Sequence, residues 1–93
     1  MKRTIEETIQ RAIPDAEVHV ETPDGTHWSA VVVAPSFAGM SLVRQHQLVM
    51  GALRAEFDSE RVHALQLRTL TPDRWRTELE ERSRREASPL SIV

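Results

Sequence analysis

The stretch "VHALQLRTLTPDRW", residues 62–75, decides the fold. His63, Leu65 and Leu67 alternate with their neighbours and share one face, which is the period of a β-strand. The strand runs through Leu70 and then stops on helix-start chemistry. Thr71 can cap the free N–H groups of a first turn, and Pro72 occupies the first helical position, where no N–H is needed. Asp73 complements the positive end of the helix dipole. Trp75 and Leu79, spaced i and i+4, give that helix an apolar anchor. One question stays open at this point: why a histidine stands at residue 63, at the start of an apolar strand.

Upstream of this stretch lies a second helical pattern. Ser41 is a candidate N-cap. Leu42, Val49, Leu53 and Phe57 form the main apolar stripe, with Val43 and Met50 beside it and His46 inside it. This helix is expected to end near Asp58-Ser59. Before it, "PSFAGMS" (35–41) reads as a loop with a turn. "HWSAVVVA" (27–34) reads as a strand whose continuous Val31-Val32-Val33 run suits a central position. "EVHVET" (17–22) alternates, with Val18 and Val20 on one face and Glu17, His19 and Glu21 on the other. Between the two strands "PDG" (23–25) is turn chemistry, so they are expected to pair as an antiparallel hairpin. Residues 4–13 form a short helix with Thr4 and Glu7 at capping-box spacing and Ile5, Ile9 and Ile13 as its stripe. Pro14 ends it.

The order is therefore α-β-β-α-β-α. The helical crossover makes the second and third strands parallel neighbours, with a right-handed connection. The expected fold is α+β: a three-stranded mixed sheet with helices packed on it. The domain spans 1–82. Residues 83–93, a mixed-charge stretch containing a proline, are expected to form a frayed helix end and a mobile tail.

Composition narrows the function classes. The chain has 93 residues, so one small domain is expected. Twelve basic and fourteen acidic residues give a net charge of −2, which does not suit gripping nucleic acid by charge alone. There are no cysteines, which excludes disulfides, thiolate metal sites and thiol nucleophiles supplied by this chain. No apolar run reaches the ~20 residues of a membrane span, and the start of the chain is charged and amphipathic. A cytoplasmic location is expected. No glycine-rich phosphate motif or nucleophile elbow is present. Asp24, His27 and Ser29 read as ordinary hairpin polarity, so no catalytic residue is assigned and the chain is not expected to be an enzyme.

Three stretches resemble the BolA family: "DGTHWSAVVVAPSF", "FAGMSLVRQHQLVMGAL" and "VHALQLRTLTPDRW". The second is similar to the family's long-helix signature, Phe-x-Gly-x-Ser-Leu-x-x-Arg-His-Arg-x-Val, and the "DGTH" turn leans toward the short-hairpin bacterial branch. The resemblance covers residues 1 to about 80. It implies a fold similar to the type II K-homology domain. It also implies a non-enzymatic adaptor that pairs with a monothiol glutaredoxin and shares a [2Fe–2S] cluster with it, in iron–sulfur cluster trafficking or in iron or redox regulation. Apo iron–sulfur proteins are implied as further partners, and the chain alone is expected to be a monomer or a weak homodimer.

The resemblance gives His63 the role of cluster ligand, and His27, in the short hairpin, that of a second ligand or of a hydrogen-bond partner near the cluster. Clusters are held mostly by cysteine thiolates, so a cysteine-free chain takes the remaining ligands from its partner and carries no cluster alone. His46 reads as structural and His19 as solvated. The alternative function is a nucleic-acid-binding transcriptional regulator that uses the helix–turn–helix-like segment and Arg44, Arg54, Arg61 and Arg68. Gln45 and Gln47 replace the two arginines of the signature, and "FAGMSL" has one glycine where a K-homology loop needs two, so only weak DNA binding is expected.

Overall fold

The structure, a computed structural model, describes residues 2–57 and 64–87, with side-chain surroundings as far as Arg85. Its elements are α1 (Lys2–Ala12), β1 (Glu17–Glu21), β2 (Trp28–Val33), a single 3₁₀ turn (Pro35–Phe37), α2 (Leu42–Glu56), β3 (Leu65–Leu70) and α3 (Pro72–Ala87). The order α-β-β-α-β-α is the one read from the sequence. Helix α1 starts earlier than expected, so Thr4 lies inside it and is not its cap. The Thr4 carbonyl accepts a bond from Thr8 Oγ1 (2.7 Å), and Glu7 pairs with Arg3 (3.3 Å). Helix α3 runs through Ala87, past the boundary drawn at residue 82. Residues 88–93 lie outside the described residues.

The sheet has the order β1-β2-β3, with β2 in the centre as its valine run requires. β1 and β2 are antiparallel, with Val18 opposite Val32 and Val20 opposite Ala30. β2 and β3 are parallel, with Trp28 opposite Leu65 and Val33 opposite Leu70. Partners in register share a face, so Val18, Val20, Trp28, Ala30, Val32, Leu65, Leu67 and Thr69 all face one side. That side packs on α1 and α2. Ile5, Ile9, Ile13, Phe37, Val49 and Leu53 complete the core.

Helix α2 departs from the expected stripe. Its buried positions are Gln45, Val49 and Leu53, at i, i+4 and i+8. Leu42 and Val43 are 60% and 65% exposed. Gln45 stands outside the apolar stripe read from the sequence. In the fold its amide is satisfied on both sides: Nε2 donates to the carbonyls of Met40 (3.0 Å) and Phe37 (3.3 Å), and Oε1 accepts from Thr69 Oγ1 (2.7 Å). A buried amide with all these bonds is tolerated, whereas an unpaired one costs about 1–3 kcal/mol per lost partner. The first helical turn therefore rotates to suit Gln45 and leaves Leu42 outside. Ser41 is the N-cap, as expected, and accepts from Arg44 N (3.2 Å).

The opposite face of the sheet carries His19, Val31, Arg68 and the buried Val33 and Leu70. Helix α3 returns across it. Thr71 caps α3 through Arg74 N (3.4 Å) and Pro72 opens it, so this start is as read. Trp75 lies against His19, ring centroids 5.5 Å apart, and Glu78 pairs with Arg68 (2.6 Å). His19 is thus half-exposed and packed on an aromatic ring, and it also pairs with Glu17; it is not simply solvated. Leu79 remains 41% exposed and adds little anchorage.

The attachment of α3 is correspondingly slight. Trp75→Ala should cost about 1–2 kcal/mol, below a fully buried aromatic. Hydrogen exchange should show the effect as faster exchange of the α3 amides, with the Val32 and Leu67 amides still protected. The Arg68 guanidinium holds Glu78 below the usual carboxylate range. Its folded-state value is therefore the lower one. The pair's small contribution is complete above the unfolded value of about 4.3 and is lost as pH falls through the folded value.

Candidate functional site

The turn between β1 and β2 is built to hold His27. Gly25 has φ +76°, a conformation that side chains other than hydrogen disfavour. Asp24 Oδ1 accepts from the backbone N–H groups of His27 (2.8 Å) and Thr26 (2.9 Å). Asp24 Oδ2 meets His27 Nδ1 at 2.8 Å. Thr22 Oγ1 donates to the His27 carbonyl (2.7 Å) and accepts from Gly25 N (2.9 Å). The N–H groups and ring of His27, with the Thr26 N–H, hold the Asp24 carboxyl far below the usual carboxylate range, so it is ionised. The His27 side chain is 76% exposed.

The start of β3 lies beside this turn. Trp28 N donates to the carbonyl of Ala64 (3.2 Å). His27 immediately precedes Trp28, and His63 immediately precedes Ala64. The hydrogen-bonded pair at the start of these two parallel strands is thus made by the residues that follow the two named histidines in the sequence. His63 itself, like Arg61, lies outside the described residues.

The donor chemistry suits a shared metal group. The chain has no cysteine, and no three His, Cys, Asp or Glu side chains among the described residues gather to hold a metal ion. A [2Fe–2S] cluster takes four ligands. A chain without cysteine could supply only a minority of them. Among the described residues, His27 offers an exposed imidazole with one nitrogen already hydrogen-bonded, an arrangement usual in ligating histidines.

Among the described residues, the arginines named for nucleic acid do not gather. Arg44 and Arg54 are exposed on α2, ten residues and so about 15 Å apart along the helix, on different faces. Arg68 is engaged by Glu78. His46 is half-buried and lines a groove with Leu42, Leu67, Thr71 and Arg74 at the far end of the sheet from His27. With Arg44 and Arg54 as the dispersed cations of this set among the described residues, binding to a short DNA duplex should be weak and fall with salt at a log–log slope of about −2. Arg44→Ala should shift it toward about −1, measured by fluorescence anisotropy at several salt concentrations.

Sequence reading assigned Asp24 no role beyond hairpin polarity and Gln45 no place in the core. The signal for Asp24 was present: an aspartate three residues before a histidine, across a glycine, can bond both the turn N–H groups and the ring. For Gln45 nothing local announced burial, because its partners Phe37, Met40 and Thr69 come from a loop and from β3.

No helix among the described residues is long and apolar enough to cross a membrane. The model of the BolA-like protein family matches residues 3–74. The acid stress protein IbaG of Escherichia coli K12 is 35% identical over 71 residues, 76% of this chain and 83% of IbaG. The human BolA-like protein 2 is 36% identical over 80 residues, covering 80% of this chain and 88% of the human protein. The solved structure of a BolA homologue from Coxiella burnetii superposes with a TM-score of 0.67 at 35% identity, over 82% of this chain and 96% of that one. A hairpin, helical crossover and parallel third strand in this order, with the match running from α1 to the start of α3, establish that the chain belongs to the BolA family.

Proposed function

We propose that this protein is a BolA-type adaptor that pairs with a monothiol glutaredoxin and supplies histidine ligands to a [2Fe–2S] cluster held between them. It is a carrier or sensor in iron–sulfur trafficking and not an enzyme. The observation that carries this reading is the end of the sheet where β2 and β3 begin. There His27 is exposed and carboxylate-bonded, and Trp28, which follows it, donates to the carbonyl of Ala64, the residue after His63 in the sequence. The absence of cysteine supports a shared cluster, because a thiolate-rich partner completes the ligand set. A neutral imidazole in place of a thiolate removes negative charge from around the iron, and histidine ligation raises cluster potential. That difference would let one cluster exist in two electronic states, with and without the adaptor. Apo iron–sulfur proteins are the downstream partners this reading implies, in a reducing compartment such as the cytoplasm.

The test is anaerobic co-expression with a monothiol glutaredoxin, followed by purification and visible absorption and circular dichroism. A 1:1 complex whose dichroism differs from that of the glutaredoxin homodimer is expected. Separate elution of the two proteins, or a spectrum identical to the homodimer's, would refute the proposal.

A further inference from the structure

We infer that Asp24 is a positioning residue that fixes His27 in the tautomer whose Nε2 is bare, presenting that atom outward for a metal. This deepens, and rests on, the reading of His27 as a cluster ligand. A carboxylate only accepts hydrogen bonds, so His27 Nδ1, 2.8 Å from Asp24 Oδ2, carries the proton. In the neutral ring the lone pair then lies on Nε2. The same carboxylate is locked in place by the N–H groups of Thr26 and His27, and Thr22 holds the His27 carbonyl. Backbone and ring are thus held by one turn, while the side chain stays 76% exposed. An unconstrained imidazole in water favours the opposite tautomer, with Nε2 protonated. Without Asp24 the ring would have to change tautomer and become ordered when metal binds. With it, both changes are complete beforehand.

Asp24→Asn is the informative variant. Its amide oxygen can keep the bonds to the turn N–H groups, while its NH₂ group faces Nδ1 and favours the reversed tautomer. Thr22→Val is the control, since it loosens the turn and leaves the Asp24–His27 bond. Long-range ¹H–¹⁵N correlation spectra of the metal-free protein, at a pH where imidazole is neutral, read the tautomer directly. The expected result is Nδ1–H for His27 in the wild type and in Thr22→Val, and Nε2–H in Asp24→Asn. In the reduced complex with glutaredoxin, Asp24→Asn should shorten cluster retention by about tenfold. Pulsed electron paramagnetic resonance with ¹⁵N-histidine should show a weakened His27 coupling. A wild-type His27 protonated on Nε2, or Asp24→Asn with unchanged tautomer and retention, would overturn the positioning role alone. No His27 nitrogen coupling in the wild-type complex would overturn the ligand reading itself, whatever the tautomer.

Discussion

His27→Ala/His63→Ala, co-purified with a monothiol glutaredoxin, is expected to yield no histidine-ligated cluster. The visible dichroism should revert to that of the glutaredoxin homodimer, or the colour should be lost. With both imidazoles gone this cysteine-free chain keeps neither of the two proposed ligands and has no thiolate to replace them. His63→Ala alone should lower the cluster's potential toward that of thiolate-only ligation or release the cluster. His27→Ala should have a similar or smaller effect. The variants should remain folded. His27 is a largely exposed turn residue, and the core of Ile9, Val32, Val49 and Leu53 lies on other elements. The expected stability cost is about 1 kcal/mol or less for each change. Far-ultraviolet dichroism and urea melts check the fold, and visible dichroism with a redox titration checks the cluster. A double variant that keeps the wild-type spectrum and potential would return both histidines to structural roles.

Gln45→Ala is expected to produce the largest loss of stability, about 2–4 kcal/mol. Two groups lose their partner at once, the Thr69 hydroxyl and the Met40 carbonyl, and the Phe37 carbonyl keeps only the bond from Met40 N (3.0 Å). Thr69 is buried, and Phe37 is 1% exposed, so water does not readily replace all three bonds. A 93-residue domain has about 5–14 kcal/mol in total, so this is a large fraction. Thr69→Val should cost about 1 kcal/mol, and the two changes together less than their sum, because they remove one shared bond. Gln45→Arg introduces the residue of the family's helix signature. It keeps donors for the two carbonyls and offers no acceptor to Thr69, so its loss should be intermediate. Urea unfolding midpoints at unchanged slope are the measurement. An unaltered midpoint for Gln45→Ala would mean that the amide is solvated and the helix is turned as its apolar pattern suggested.

The elements most legible in the sequence are those governed by local rules. Thr71-Pro72-Asp73 starts α3 because its cap, its missing N–H and its charge all act within one turn. Asp24-Gly25 makes the hairpin because glycine accepts a positive φ. The valine run of β2 names the central strand because both of its faces are covered. His27 and His63 were named through motif resemblance, and the parallel pairing of the strands that bring their neighbours Trp28 and Ala64 together follows from the helical crossover. What the sequence by itself determined is therefore the order of elements, the hairpin, the parallel pairing and the two candidate histidines. Only the tertiary structure decided the rotation of α2 and the packing of His19 on Trp75. The reason is common to both. Each depends on whether a polar side chain finds its partners, and those partners sit on another element. Hydrophobic periodicity leaves Gln45 and His19 outside the buried stripes, and the completed hydrogen bonds and ring contact bring them back.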